Sequence, residues 1–342
     1  MLKNDNEIII DRESITDIVK MIETHRVNAY RKVNEELVMM YYEIGKYLSE
    51  KVASEKWGSK VIDKIAKEIN NKYPTLKGFN RAGLYRMMQF YDTYRDNEFV
   101  SALLRQISWS NNIVIMSSTK SMEEKEFYIR MCIKNNYSTR ELNRQISSGY
   151  YYRYMLSKDN NVLETNVKAI NEDDMPLTRI LDKYSLEFLD LPNNYSEKDL
   201  RKSIVSNLKE FILEIGQDFT FIGEEYRIQV GNRDFYIDLL FYNRTYSCLV
   251  AFELKIGEFE PEYVSKMNFY LEALDRQEKK NNENPSVGII LCASKNDTVV
   301  EYTLSRSISS TAVAEYSTKL IDKDLLENRL NELRKILDSE YD

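Results

Sequence analysis

Apolar positions in the first 150 residues recur at three- and four-residue intervals. Ile15, Ile18, Val19 and Ile22 open the pattern, and Leu37, Tyr41, Ile44 and Leu48 continue it, so residues 14–53 read as helical. A second amphipathic segment runs from Val61 to about Asn71. The stretch NNKYPTLKGFN gathers Asn, Pro and Gly and reads as a loop. Asn80 is placed to cap the helix RAGLYRMMQFYDTY that follows. MEEKEFYIRMCIKNN is a further helix, with Phe127 and Met131 on one face and Asn135-Asn136 at its end. STRE then forms a capping box, in which Ser138 accepts from the backbone and Glu141 reaches back. Its helix displays Arg140, Arg144 and Gln145. Two helices about a short turn suit either a helix-turn-helix reader or a plain helical hairpin. The tyrosines of SSGYYYRYMLS, residues 147–157, can stack on bases or fill a core, and packing is the favoured reading.

The period changes in the second half. Residues 159–180 are polar and read as a linker region. LRKSIVSNLKEFILEIG is an amphipathic helix closed by Gly216. FTFIGEEYRIQV, DFYIDLLFYN and CLVAFELK read as three strands joined by short turns. PEYVSKMNFYLEALDRQ is a helix, and SVGIILCAS suits a strand buried on both faces. A further strand is expected near Thr311–Tyr316 and a last helix from Lys323. Leu326, Leu330, Leu333 and Leu337 follow a heptad-like course there, short for an autonomous coiled coil, so they are expected to pack on their own domain.

Three charges interrupt the apolar strands: Asp238 in the first run, Glu253 and Lys255 at the end of the second. Strand side chains alternate faces, so Glu253 and Lys255 point the same way, and a hairpin can bring Asp238 beside Glu253. A buried charge requires a partner. A divalent cation shared by the carboxylates satisfies that need, and so does a lysine–carboxylate pair at the sheet rim. The first arrangement is what phosphodiester cleavage uses. Glu258, Glu260 and Glu262 lie nearby and are expected on the surface.

Composition narrows the chemistry. With 342 residues, two or three domains are expected. Hydrophobic residues at 43% suffice for real cores. No apolar run approaches the ~18 residues of a membrane helix. The N-terminus carries no basic-then-apolar signal, so a cytoplasmic protein is expected. Cys132, Cys248 and Cys292 are dispersed among apolar neighbours and read as buried thiols. A single histidine, His25, makes a zinc cage or a serine–histidine hydrolase improbable. Any metal should be a hard cation on carboxylates, such as Mg²⁺ or Mn²⁺. Residues 1–160 hold 26 Lys and Arg against 21 Asp and Glu, whereas the remainder holds 22 against 34. The first half is therefore compatible with a polyanionic partner.

IDLLFYN…LVAFELK resembles the active-site core of PD-(D/E)XK nucleases. The wider stretch from FILEIG through PEYVSKMNFYLEALD resembles the YhcG-type subfamily. WGSKVIDKIAKEI, GFNRAGLYRMMQFY, ISWSN and YSTRELNRQI resemble that subfamily's N-terminal partner domain in the same order. The resemblance implies an all-α domain over 1–158, with helix-turn-helix character as one option. After the linker region 159–180, it implies a restriction-endonuclease-like α/β domain with a central mixed sheet over 181–342. It further implies a metal-dependent nuclease, with DNA the expected substrate and RNA left open. Asp238 and Glu253 would be metal ligands, and Lys255 would position water or stabilise the transition state. A helix-borne acid usually joins them; Glu210 and Glu214 share a face, and Glu214 follows the FILE match better. Lys266 and Tyr270 stand where relatives often carry Gln-x-x-x-Tyr, and with Arg140 and Arg144 they are candidate substrate contacts. Ile237 replaces the proline of the family name, and Asn111-Asn112 stands where relatives often carry histidine. The rival reading is a nucleic-acid-binding or assembly protein that uses the same fold without catalysis. Homo-oligomerisation stays open.

Overall fold

The computed structural model describes residues 12–55, 59–157, 180–307 and 310–340. The chain divides into two compact units, Met1–Asn143 and Arg144–Asp342. The expected linker, 159–180, falls outside the described residues except for Ile180. No described helix is long and apolar enough to cross a membrane.

The first unit is helical. Its elements are α1 (Arg12–Glu55), α2 (Ser59–Lys72), α3 (Arg81–Tyr94), α4 (Glu98–Leu104), α5 (Trp109–Ser118), α6 (Met122–Asn135) and the start of α7 (Thr139–Ser147). Asn80 caps α3 as expected, its side chain accepting from the Gly83 N–H at 2.8 Å. The α3 face of Leu84, Met87 and Phe90 is buried and packs with Tyr41 and Leu48 of α1 and Ile62 of α2. Gly45 makes that approach possible, because a Cβ there would sit 2.0 Å from the Met87 carbonyl oxygen. The capping box of α7 forms, with the Ser138 N–H donating to Glu141 at 2.8 Å and the Glu141 N–H to Ser138 Oγ at 3.3 Å. Asn111 and Asn112 are buried and serve backbone carbonyls, Tyr137 at 2.8 Å and Leu104 at 3.0 Å. These two amides therefore satisfy the polar groups of a packed interior.

The second unit starts within α7 and continues through α8 (Tyr150–Leu156), β1 (Lys183–Ser185), α9 (Glu197–Ser206) and α10 (Leu208–Ile215). Then come β2 (Phe219–Val230), β3 (Arg233–Asn243), β4 (Cys248–Leu254), α11 (Glu262–Gln277), β5 (Val287–Cys292), α12 (Asp297–Leu304), β6 (Thr311–Ser317) and α13 (Lys323–Glu340). The six-stranded sheet has the order β1-β6-β5-β4-β3-β2. It is mixed: β2, β3 and β4 run antiparallel, while β4, β5, β6 and β1 run parallel. Gly231 and Asn232 turn β2 into β3 with positive φ at both positions, the backbone that a two-residue hairpin demands.

Three differences from the sequence reading have local causes. The helix expected from Leu200 begins at Glu197, because Ser196 and Asp199 form a capping box within what reads as a turn. It also breaks at Asn207 into α9 and α10. The short β1 and α12 gave no periodic signal. Tyr150, Tyr151, Tyr152 and Tyr154 are buried, so this cluster packs. Leu326 and Leu330 of α13 are buried as well.

Candidate active site

The β3–β4 ladder ends at the pair Leu239 and Phe252, so Asp238 and Glu253 come next in register where the strands part. Alternation sorts the neighbouring side chains. Leu240 and Ala251 join the cluster under α11, whereas Phe241 and Phe252 pack on Phe211 of α10. Glu253 reaches the α11 side, where it meets Lys266, whereas Asp238 is engaged by Arg201 of α9.

Glu253 is buried. Its Oε1 meets Lys255 Nζ at 3.0 Å and Lys266 Nζ of α11 at 2.5 Å. Its Oε2 is buried with no hydrogen-bond partner among the described residues. Asp238 accepts the Leu254 N–H at 2.9 Å on Oδ2 and Arg201 of α9 at 3.2 Å on Oδ1. Arg201 also holds Glu225 at 2.6 Å. Lys255 is held from its other side by Glu197 of α9 at 3.1 Å and lies over the Tyr263 ring. Burial pulls the Lys255 pKa down, but Glu253 and then Glu197 outweigh it, so Lys255 titrates above the ordinary lysine value. Lys266 is also raised, Glu253 overcoming the effect of burial.

The structure thus gathers Asp238, Glu253, Lys255 and Lys266, and adds two residues the sequence reading missed, Glu197 and Arg201. Both sit on α9 one turn apart, and the signal for them was the Ser-x-x-Asp capping box that starts that helix. Tyr270 is buried, and its hydroxyl donates to the Tyr236 carbonyl at 2.7 Å. It braces α11 against β3, and its ring lies below Lys266. Glu258, Glu260 and Glu262 are exposed.

Glu214 belongs to a different group of side chains. It is fully buried, with Arg153 and the Ser185 N–H on Oε1 and Arg144 Nη2 at 3.2 Å on Oε2. No ion pair or hydrogen bond joins it to Asp238 or Glu253, and its side chain is wholly enclosed whereas that of Asp238 keeps some exposure. Burial pushes its pKa up, but Arg153 and Arg144 prevail and hold it below the ordinary glutamate value. Arg144 is spent here too, paired with Glu187 at 3.0 Å and stacked on Phe188. This placement gives Glu214 and Arg144 internal work instead of the ligand and substrate contacts expected from the sequence. Glu210, the other acid considered, is half-buried on α10. Arg140 is exposed on α7.

Among the described residues, no three His, Cys, Asp or Glu side chains gather closely enough to cage a metal ion. Two carboxylates nevertheless fit a cation such as Mg²⁺, which takes one or two of them and completes its octahedron with waters and phosphate oxygens. The open Oε2 of Glu253 is the oxygen that such an ion would satisfy.

Comparison with known proteins agrees with this architecture. Residues 177–331 match the family model of the YhcG PDDEXK nuclease domain, and residues 17–153 match the DUF1016 N-terminal domain. A protein of Escherichia coli (strain K12) named "Putative nuclease YhcG" is 28% identical over 356 residues, covering 95% of this chain and 94% of that protein. A repair endonuclease from Pyrococcus abyssi shares 20% identity over 38% of this chain, with a TM-score of 0.25. EndoMS in apo form shares 19% over 39%, also at 0.25. The chain spans about half the length of each solved structure (49%). Between them, the two matched domains take in nearly all of the described residues, and the chain belongs to the YhcG-type PD-(D/E)XK nuclease family, an N-terminal helical DUF1016 domain joined to a restriction-endonuclease-like domain with a mixed sheet.

Proposed function

We propose that this protein hydrolyses phosphodiester bonds in DNA, with Asp238 and Glu253 holding Mg²⁺ or Mn²⁺. The observation that carries the reading is the buried, unpartnered Oε2 of Glu253, next in register to Asp238 and ringed by Lys255 and Lys266. When bound, the cation polarises the phosphate and makes water a stronger nucleophile. Lys255 remains an ammonium, since a general base needs a lowered pKa and that of Lys255 is raised. It therefore orients the attacking water and stabilises charge on the phosphate. Glu197 holds Lys255 in place, and Arg201 fixes the Asp238 carboxylate. Lys266 is half-exposed and exchanges Glu253 for a substrate phosphate. Residues 181–342 carry the chemistry, and residues 1–158 engage nucleic acid or a partner, with Arg140 as an exposed phosphate contact.

The test is a cleavage panel of linear, branched and single-stranded DNA, with RNA alongside, in Mg²⁺ and in Mn²⁺. DNA cutting that disappears in Glu253→Ala and Lys255→Ala while both variants stay folded supports the reading. Equal activity in the variants sinks the site. One observation favours the non-catalytic alternative: Arg201, Lys255 and Lys266 already neutralise the two carboxylates. Calorimetry decides between the two, because divalent-ion binding that is lost in Asp238→Asn belongs to a nuclease and its absence to a binding protein.

A further inference from the structure

The first half of α1 touches no core. Residues 15–33 are all exposed, and among the described residues the helix's hydrogen bonds to the rest of its unit begin at Asn34, whose side chain donates to the Arg105 and Ile107 carbonyls. Isolated helices of this length are marginal in water. Yet the exposed stretch is amphipathic. Ile15, Val19, Ile22, Tyr30, Val33 and Leu37 lie on one stripe with Arg26 at its middle, and these six apolar residues are between 37% and 69% exposed.

The spacing along the stripe is four, three, four, then four, three, four, which reads the same from either end about Arg26. A two-fold interface requires such self-complementarity. We propose that α1 pairs with α1 of a second copy of this chain, antiparallel, with Arg26 at the two-fold axis. Ile15 then meets Leu37, Val19 meets Val33 and Ile22 meets Tyr30 of the other copy. Glu23 lies one turn from Arg26 and is placed to answer the second copy's arginine.

Two observations select this occupant and direction. With Ile18, the stripe offers roughly 700 Å² of side-chain surface, near the ~800 Å² per partner of a standard interface. From Tyr41 onward the same face of α1 is covered by the unit's own core around α3. A parallel partner would carry its helix on along this covered face into α3, whereas an antiparallel partner leaves that face, with only the first turn of its helix, from Arg12, passing beyond Leu37.

The inference is independent of the nuclease reading, and light scattering of the full chain tests it. The expected mass is twice 40.5 kDa, and it should halve in the double variant Ile22→Glu/Val33→Glu, with far-UV circular dichroism and melting of the folded units kept. Direction is read by disulfide trapping, for which the buried native cysteines are a quiet background. A mixture of Ile15→Cys and Leu37→Cys copies should cross-link, and Ile15→Cys alone should not. A monomeric wild type at micromolar concentration, a double variant that stays dimeric, or self-cross-linking of Ile15→Cys overturns the proposal.

Discussion

Glu214 and Glu253 are both buried carboxylates facing two cations, yet their surroundings differ in kind. Glu214 has both oxygens filled, by Arg153, Arg144 and the Ser185 N–H. Its arginines are themselves tied to the Ser148, Lys183 and Ser185 carbonyls. Glu253 shares one oxygen between two lysines and leaves the other unfilled. Lysine is a flexible point charge that releases its partner readily, while arginine locks a carboxylate in a fixed fork. The filled glutamate holds structure; the one with an open oxygen among mobile cations is equipped to bind. Two glutamates of equal burial are thus separated by what remains unfilled around them.

The sharpest test of the contrast removes each carboxylate. Glu253→Ala should cost activity by about 10³-fold or more, with thermal melting nearly unchanged. Glu214→Gln should instead cost stability, on the order of 3 kcal/mol, by leaving Arg153 buried without its counter-charge and Arg144 with Glu187 alone. Chemical denaturation would measure that loss, and an intact fold with normal stability in Glu214→Gln would erase the distinction. Arg144→Met is expected to destabilise less, by about 1–3 kcal/mol, because Arg153 still serves Glu214. Acid titration gives a smaller readout. The folded pKa of Glu214 lies below the ordinary glutamate value of 4.5. Its contribution is therefore complete above pH 4.5 and drains away as pH falls through the lower folded value. In stability-versus-pH curves, Glu214→Gln should flatten that acid limb. Least affected should be Lys266→Gln. The lysine is half-exposed, so stability should move by less than about 1 kcal/mol, while its loss should weaken DNA binding in filter or anisotropy assays.

Much of this was legible in the residues. Period and capping located α3, α6, α7, α11 and the three strands, because amphipathic faces and turn chemistry are local properties. Asp238, Glu253 and Lys255 stood out because charge within an apolar strand has few structural uses. Glu197 and Arg201 were hidden because α9 begins inside a polar stretch, and its function depends on where its first turn lands. Glu214 misled for the opposite reason. A glutamate on an amphipathic helix looks the same from the sequence whether it faces a cation site or a pair of arginines some 60 to 70 residues earlier in the chain.

The sequence by itself determined the helical first half, the succession of a helix, three strands, a helix and a strand in the second half, and the identity of the charges in the hairpin. Only the tertiary structure decided which carboxylates are saturated and which keep an open oxygen. Saturation depends on contacts between residues far apart in the chain, and a buried charge acquires its meaning from the partners that folding brings to it.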